Sequence, residues 1–229
     1  MSIENNRARS RSGIAAAVST AIQDFRTAAH ANGAGYDLCH FHAMTLIQCL
    51  YTIRYKNLDG QTAIGQGLTV GGNISLLSGS RNANGMFFGT QATDEAVKCF
   101  GIEHLWGNTW QAVDGLFYGA NREIMTATQN FNGGPNSVPP AGYVNQGIAG
   151  DANISGFITR PQGTTNRGLL PNVGGGSATT HFCDNGNFSP SNFSAFGRGW
   201  TSAANAGAFC WATWNGTAAS NAGARLMFL

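Results

Sequence analysis

The chain has 229 residues, of which 32 are glycine and 22 are asparagine, and only 10% are Asp, Glu, Lys or Arg. An ordinary soluble domain is roughly 25% charged, so surface polarity here must come from amides, hydroxyls and backbone groups. The formal net charge of +2 gives no field for nucleic acid, and no apolar run approaches the ~20 residues that span a bilayer. We therefore expect neither nucleic acid nor a membrane as a partner.

The first 55 residues predict two helices. Between residues 14 and 31, apolar side chains recur at helical spacing, and Asn32-Gly33 supplies a helix stop. Residues 36–55 predict the strongest helix of the chain, with Asp37 as its cap. Apolar residues are so dense in this segment that we expect most of the helix to be buried.

From about residue 61 onward, short β-leaning pieces alternate with loops rich in Gly, Asn and Ser. The predicted strand pieces include 86–88, 154–158 and 224–229. Residues 130–150 and 163–180 predict long surface loops, and such loops in a compact domain usually carry a function. The expected fold class is α+β, with N-terminal helices, short β-strands and long loops.

Five cysteines are scattered along the chain without a CxxC pair, so neither a zinc clip nor a dense disulfide framework is expected. Cys39 and Cys49 lie ten residues apart on one predicted helix, too far along its axis to bond each other. We interpret the cysteines as structural thiols and expect neither a metal nor a cofactor.

Two segments are more specific than the composition. The first centres on Trp106-Gly107-Asn108-Thr109-Trp110, which predicts a tight turn entering a strand, with Gly or Asn at positive φ and the indoles packed inward. The second, residues 196–229, predicts several short strands and hairpin loops, closed by a final strand that begins near Gly223.

Together these segments resemble the C-type-lectin-type fold, in the branch shared by formylglycine-generating-enzyme-like domains and the variable proteins of diversity-generating retroelements. Gly107–Trp110 resembles that branch's Gly-Asn-Val-Trp-Glu-Trp signature. Gly199-Trp200, Ala208–Trp211 and Gly223–Arg225 resemble its terminal pattern of Gly-Gly-x-Trp, an aromatic-rich strand and Gly-Ala-Arg.

The resemblance implies a C-type-lectin-like domain over residues 36–229, with a C-terminal display region at 196–229. Residues 1–35 are then an N-terminal tail and helix, and a candidate assembly element. The sequence departs from the family pattern where Gln111 and Ala112 replace an acidic-aromatic pair, and where Arg198 separates two glycines that are more often adjacent.

Formylglycine-generating enzymes use a reactive cysteine pair in the C-terminal segment to bind copper. Here only Cys210 lies in that segment, and Cys183 is well upstream. A lone thiol cannot supply the two soft ligands that this copper chemistry requires, so we expect the protein not to be an enzyme.

Two other groups of polar residues could carry chemistry. His40 and His42 would point to different faces of a helix and so could not share a metal ion. Glu103 and His104 could form an acid/base pair, but neighbouring residues on a strand face opposite ways. We expect structural roles for all four.

Asp114 and Asp184 are the acids most easily placed inside, each beside Gly or Asn. Asx-turn capping explains both of them without catalysis. No dense run of oxygen ligands indicates a calcium loop.

The predicted binding face surrounds the C-terminal tryptophans. Trp200 and Trp211 are expected to be scaffold, while small side chains between them are displayed. By resemblance to the retroelement variable proteins, the exposed and changeable positions are Thr201, Ala203, Cys210, Ala212, Thr213, Asn221 and Ala222. So many Ala and Thr residues predict a flat patch whose affinity comes from many copies acting together.

The resemblance implies a phage or prophage receptor-binding protein at the tail or fibre tip of the virion, or at a bacterial cell surface if the protein is not from a phage. The expected partners are a host cell-surface protein or glycan, further copies of the chain in a homo-oligomer, and other virion tail proteins. Two alternatives stay open. One is a structural tail component that binds no ligand, and the other is an oxidase of the formylglycine-generating group.

Overall fold

The computed structural model describes residues 1–72, 75–135, 138–148, 150, 154–164, 168–179, 184–190 and 192–228, without the side chains of 162–164. The chain forms a mixed fold of a few helices and one large curled sheet, in agreement with the expected α+β class. Cys183 lies outside the described residues.

The described residues form three α-helices, one 3-10 turn and sixteen short strands. The helices are α1 (Ile22–His30), α2 (Phe41–Tyr55) and α3 (Gly60–Ala63), and the 3-10 turn is Ala203–Asn205. The strands are β1 (Ser2–Glu4), β2 (Arg7–Arg9), β3 (Tyr36–Leu38), β4 (Lys98–Cys99), β5 (Ile102–Glu103), β6 (Trp110–Tyr118), β7 (Glu123–Thr126), β8 (Val144–Ile148), β9 (Ser155–Phe157), β10 (Arg160–Thr164), β11 (Gly168–Val173), β12 (Asn185–Asn187), β13 (Asn192–Phe196), β14 (Trp211–Trp214), β15 (Ala222–Ala224) and β16 (Leu226–Phe228).

β6 is the central strand of the large sheet, whose order is β8-β7-β6-β13-β14-β12-β9. β13 pairs antiparallel along one edge of β6. The other edge is divided, because β15 pairs in parallel with Trp110–Ala112 and β7 pairs antiparallel with Leu116–Tyr118. Every residue of β6 after Trp110 is buried, so both faces of the strand are covered.

Two hydrophobic clusters pack against β6. Ala112 and Phe117 belong to one cluster, whereas Val113, Leu116 and Tyr118 belong to the other. Neighbouring side chains on a strand point to opposite faces, and the register shift between Val113 and Phe117 reverses this alternation along β6. The strand therefore separates the two clusters. The largest fully buried side chains of the cluster on the Val113 face are Trp106, Trp211, Tyr51, Phe41, Phe196 and Phe209.

The first predicted helix is shorter than expected. α1 begins at Ile22 rather than at residue 14, because the preceding backbone bonds to distant segments; the Ala17 N–H, for example, donates to the Met1 carbonyl oxygen at 2.9 Å. Such tertiary hydrogen bonds compete with helix formation. Ile22 and Phe25 are fully buried in the same cluster as Ala112 and Phe117, so the N-terminal helix packs into the common core.

The second predicted helix also begins later than expected. Residues 36–38 form β3, which pairs antiparallel with β16, and helix α2 starts only at Phe41. Its N-cap is His40, whose Nδ1 accepts from the Ala43 N–H at 3.3 Å, and not Asp37. The strand pairing with the C-terminal segment removes the first turns that periodicity alone assigns to the helix.

One face of α2 is exposed, so the prediction that most of this helix is buried is wrong. The helix buries Phe41, Met44, Gln48 and Tyr51 along one stripe. The exposed apolar residues of the opposite face are Leu46, Leu50 and Ile53, which lie on successive turns.

The predicted strands and loops after residue 61 are confirmed only in part. The predicted strands at 154–158 and 224–229 contain β9 and β16, but at 86–88 only Phe88 forms an isolated bridge, with Lys98. The predicted loops contain β8 and β11, which are held by pairing with β7 and β10. None of the helices in the described residues is long and apolar enough to cross a membrane.

A buried ion pair joins α1 to the centre of the sheet. Arg26 donates from Nε and Nη2 to both carboxylate oxygens of Asp114, at 2.7 and 2.5 Å. Its Nη1 donates to the Gly133 carbonyl oxygen at 2.5 Å. Asp114 is therefore not the Asx-turn cap that was predicted: it is the anion that holds Arg26. It lies where the pairing of β6 with β13 shifts register, next to Gly115 at φ 73°.

We expect Asp114→Asn to lower the free energy of unfolding by about 3 kcal/mol, because the buried guanidinium loses its counter-ion. Urea denaturation at neutral pH measures this. Arg11→Gln is the control, since the Arg11–Glu4 ion pair is exposed at the surface and its loss changes stability little. A loss for Asp114→Asn no larger than that of the control would contradict the role given to the pair.

Candidate functional site

The tight turn before β6 forms as predicted. Gly107 and Asn108 have φ 70° and 63°, and a Cβ on Gly107 would lie 2.7 Å from the Leu68 carbonyl oxygen. Only glycine fits there. The Asn108 side chain also binds the turn to a distant loop, since its Oδ1 accepts from the Leu76 N–H at 2.9 Å.

The two indoles that flank this turn behave differently. Trp106 is fully buried, and its Nε1 donates to the Gly65 carbonyl oxygen at 3.1 Å. Trp110 is only half-buried, so the prediction that both indoles pack inward holds for Trp106 alone. The Arg198 guanidinium lies over the Trp110 ring, 5.1 Å from its centre.

Arg225 fastens the C-terminal segment to this turn. Its Nη2 donates to the carbonyl oxygens of Glu103 and His104, both at 2.6 Å, and its Nε donates to Gln111 Oε1. Gln111 Nε2 donates in turn to the carbonyl oxygens of His104 and Leu105, at 3.0 and 2.9 Å. These bonds hold β15 in register beside β6.

Two hydrogen bonds hold the backbone just before β14. One is to Asp184, which precedes β12, and the other is to Asn185, the first residue of β12. Asp184 Oδ2 accepts from the Phe209 N–H, and Cys210 Sγ donates to the Asn185 carbonyl oxygen at 2.9 Å. Cys210 is fully buried, and burial raises the pKa of its thiol to about 12. The predicted exposure of Cys210 is therefore wrong, because this part of the chain is covered on both sides by sheet and core.

Four of the seven predicted positions meet in one cavity of about 210 Å³, which we call the cup. Ala212 and Thr213 come from β14, Ala222 is the first residue of β15, and Asn221 directly precedes it. Ala212 and Ala222 are 5% and 3% exposed and form the floor, which corrects their predicted exposure. Thr213 and Asn221 are half-buried. The other residues that line the cup are Trp110, Asn187, Ala195, Arg198, Trp214 and Ala219.

Sheet pairing explains why these distant residues meet. Ala212 pairs with Ala195 across β13 and β14, and Ala222 pairs with Trp110 across β15 and β6. The Trp110 N–H also donates to the Asn221 carbonyl oxygen at 2.8 Å. Residues far apart in the sequence thus lie side by side at one end of the sheet.

Thr201 and Ala203 lie outside the cup. Both are exposed, as predicted, on the turn and 3-10 helix that follow Trp200. Trp200 itself is 7% exposed and its N–H donates to the Asn108 carbonyl oxygen at 3.1 Å, so it is scaffold as expected. The predicted face therefore divides into the cup and a separate exposed turn.

The cup contains groups that sequence reasoning did not place there. The sequence analysis predicts that Trp110 packs inward and gives Arg198 no role beyond separating two glycines, and it makes no prediction for Trp214. Trp214 Nε1 is buried and has no hydrogen-bond partner among the described residues. Indoles, a guanidinium and amides together can stack against a flat ligand face and donate hydrogen bonds to it.

The remaining polar candidates are placed as follows. His40 caps α2, and its ring centre lies 6.0 Å from that of His42. Glu103 Oε2 and His104 Nε2 are 4.0 Å apart, so the expectation that these neighbours face opposite ways is wrong. His104 has φ 55°, which turns its side chain back toward Glu103. Within the described residues, no group of three or more His, Cys, Asp or Glu could hold a metal ion.

No protein-family model matches this chain, and no curated protein matches it.

We expect the Asp184 carboxyl to make stability pH-dependent. Burial raises its pKa to about 8 from the ordinary 3.8, so between these values it is protonated in the folded chain and ionised in the unfolded chain. Stability is fully present below the lower value and falls as the pH rises toward 8, by up to ~1.4 kcal/mol per pH unit. Asp184→Asn removes this loss, so the variant gains stability relative to the wild type between pH 5 and 8.

Chemical denaturation at several pH values measures this difference. Asp94→Asn changes an exposed carboxyl and serves as the control. Its free energy of unfolding should depend on pH as that of the wild type does. If Asp184→Asn follows that same profile, the Asp184 carboxyl does not carry the proton assigned to it.

Proposed function

We propose that the protein is a receptor-binding protein of a phage or prophage tail, and that the cup engages a protein or glycan on the host surface. The observation that carries the proposal is the convergence of Ala212, Thr213, Asn221 and Ala222 on one cavity. The resemblance to the retroelement variable proteins points to the same four positions. Two indoles and a guanidinium at the same cavity supply groups that can anchor a ligand.

A C-type-lectin-like fold is part of the proposal. The α+β order, the Gly107-Asn108 turn and the position of Arg225 beside β6 support it. The Gly-Asn-x-Trp and Gly-Ala-Arg motifs are thereby brought together, through the pairing of β15 with β6.

Homo-oligomeric assembly is the second part of the proposal. Leu46, Leu50 and Ile53 on the exposed face of α2 are 60%, 41% and 71% exposed. Such an apolar stripe is typical of a surface that another chain covers. Several copies would multiply the weak binding of a small cup.

The alternative oxidase function is disfavoured by Cys210. Its thiol is fully buried and already donates to the Asn185 carbonyl oxygen, and burial raises its pKa. A copper ligand must be reachable and must bind as the thiolate. The structural tail component remains the competing proposal, and the cell-binding experiment below separates it from receptor binding.

The test is adsorption of the fluorescently labelled protein to intact cells of a panel of bacterial strains. We expect the wild type to bind at least one strain, and Thr213→Arg and Asn221→Arg each to weaken binding by at least about tenfold, because a long side chain fills the cup. Thr201→Arg is the matched control, since Thr201 is exposed but lies outside the cup.

Circular dichroism confirms that each variant is folded before binding is compared. Adsorption unchanged by both cup variants would exclude the cup as the binding site. Adsorption to no strain, with the C-terminal face covered in an assembled tail, would favour the structural tail component.

A further inference from the structure

A second cavity lies on the other face of β6 from the cup. It has a volume of about 360 Å³, within the roughly 300–1,000 Å³ range of pockets that hold small molecules. Trp110 faces the cup and the next residue, Gln111, faces this cavity, as expected for neighbours on a strand. We call it the His104 cavity, after the side chain that is central to it.

His104 is a buried polar side chain without its hydrogen bonds. Its side chain is 10% exposed, and neither ring nitrogen forms a hydrogen bond of normal geometry with a described residue, although the Leu77 carbonyl lies near. Burial lowers the pKa of His104 to about 4; Arg225 lowers it further and Glu103 opposes this. The ring is therefore neutral at pH 7, with one nitrogen that donates and one that accepts.

Two charged groups of opposite sign face the same space. Glu103 lines the cavity, and its oxygens accept from the N–H groups of Gly79 and Arg81 at 2.7 and 2.8 Å. Arg225 uses Nε and Nη2 within the protein, and its Nη1 makes no hydrogen bond to a described residue.

The other charges at the rim do not alter this balance. Arg11 is paired with Glu4 at 2.7 Å. Burial, with a smaller contribution from Arg225, lowers the pKa of the Met1 amine to about 5, so it is largely neutral at pH 7. The cavity therefore offers hydrogen-bond donors and acceptors with no net charge.

We infer that the His104 cavity binds a small neutral polyhydroxylated molecule the size of a monosaccharide. A hydroxyl group both donates and accepts, so hydroxyls can satisfy the two unlike nitrogens of His104, the free lone pairs of Glu103 and Nη1 of Arg225 at the same time. The opposite charges of Glu103 and Arg225 offset each other, so the cavity favours neither an anion nor a cation. Asn108 and Thr109 also line the cavity and make its wall more polar.

The experiment is saturation-transfer NMR with a panel of glucose, galactose, mannose and N-acetylglucosamine, and with acetate and phosphate as charged probes. We expect at least one neutral sugar to bind the wild type with a Kd of about 1 mM or tighter. His104→Asn keeps a residue type that tolerates positive φ, and should weaken binding at least about tenfold.

A second variant tests the cavity without changing the residue at position 104, where the backbone has a positive φ. Ala16→Phe places a ring at the cavity wall and leaves His104 unchanged, and should abolish the transfer signal. Thr213→Arg fills the cup on the other face and should leave this binding unchanged, which separates the present inference from the proposed host-attachment site.

Three results would overturn the inference. The first is the absence of transfer to every neutral sugar, and the second is transfer to acetate or phosphate alone. The third is sugar binding that survives in the folded Ala16→Phe variant, which would locate the sugar elsewhere.

Discussion

The arrangement of the C-terminal segment beside the central strand depends on the half-buried guanidinium of Arg225. Arg225 donates to two successive carbonyl oxygens, of Glu103 and His104, and to the side chain of Gln111. The Glu103 carbonyl oxygen and Gln111 Oε1 would lose this donor if the C-terminal segment lay elsewhere, and unsatisfied buried groups are costly. This bonding explains why a three-residue parallel strand, β15, can be held beside the central strand of the sheet.

Both cavities follow from that arrangement. β15 beside the first residues of β6 brings Asn221 and Ala222 next to Trp110, which completes the cup. On the opposite face, the same contact encloses Arg225 and Gln111 with His104, and so forms the larger cavity. A single strand thus separates a site proposed for host attachment from a site inferred to bind a small neutral molecule.

The sequence was sufficient to predict the features that local chemistry determines. It placed positive φ at Gly107-Asn108 and a buried Trp211, because glycine geometry and indole burial are local properties. It extended the helix beyond α1 and misplaced the start of α2, since long-range hydrogen bonds and strand pairing decided those ends. It could not find the cup lining from Arg198, or the buried state of Cys210, because strand order determines which side chains meet.

Hydrogen exchange in Arg225→Met tests the central role of Arg225 most directly, since it resolves the two halves of one edge of β6. The Trp110 N–H, which donates to Asn221, should exchange roughly 100-fold faster than in the wild type, while amides of Leu116–Tyr118 beside β7 change far less. Uniform acceleration along the whole of β6, or no change at Trp110, would show that Arg225 does not hold this end of the sheet together.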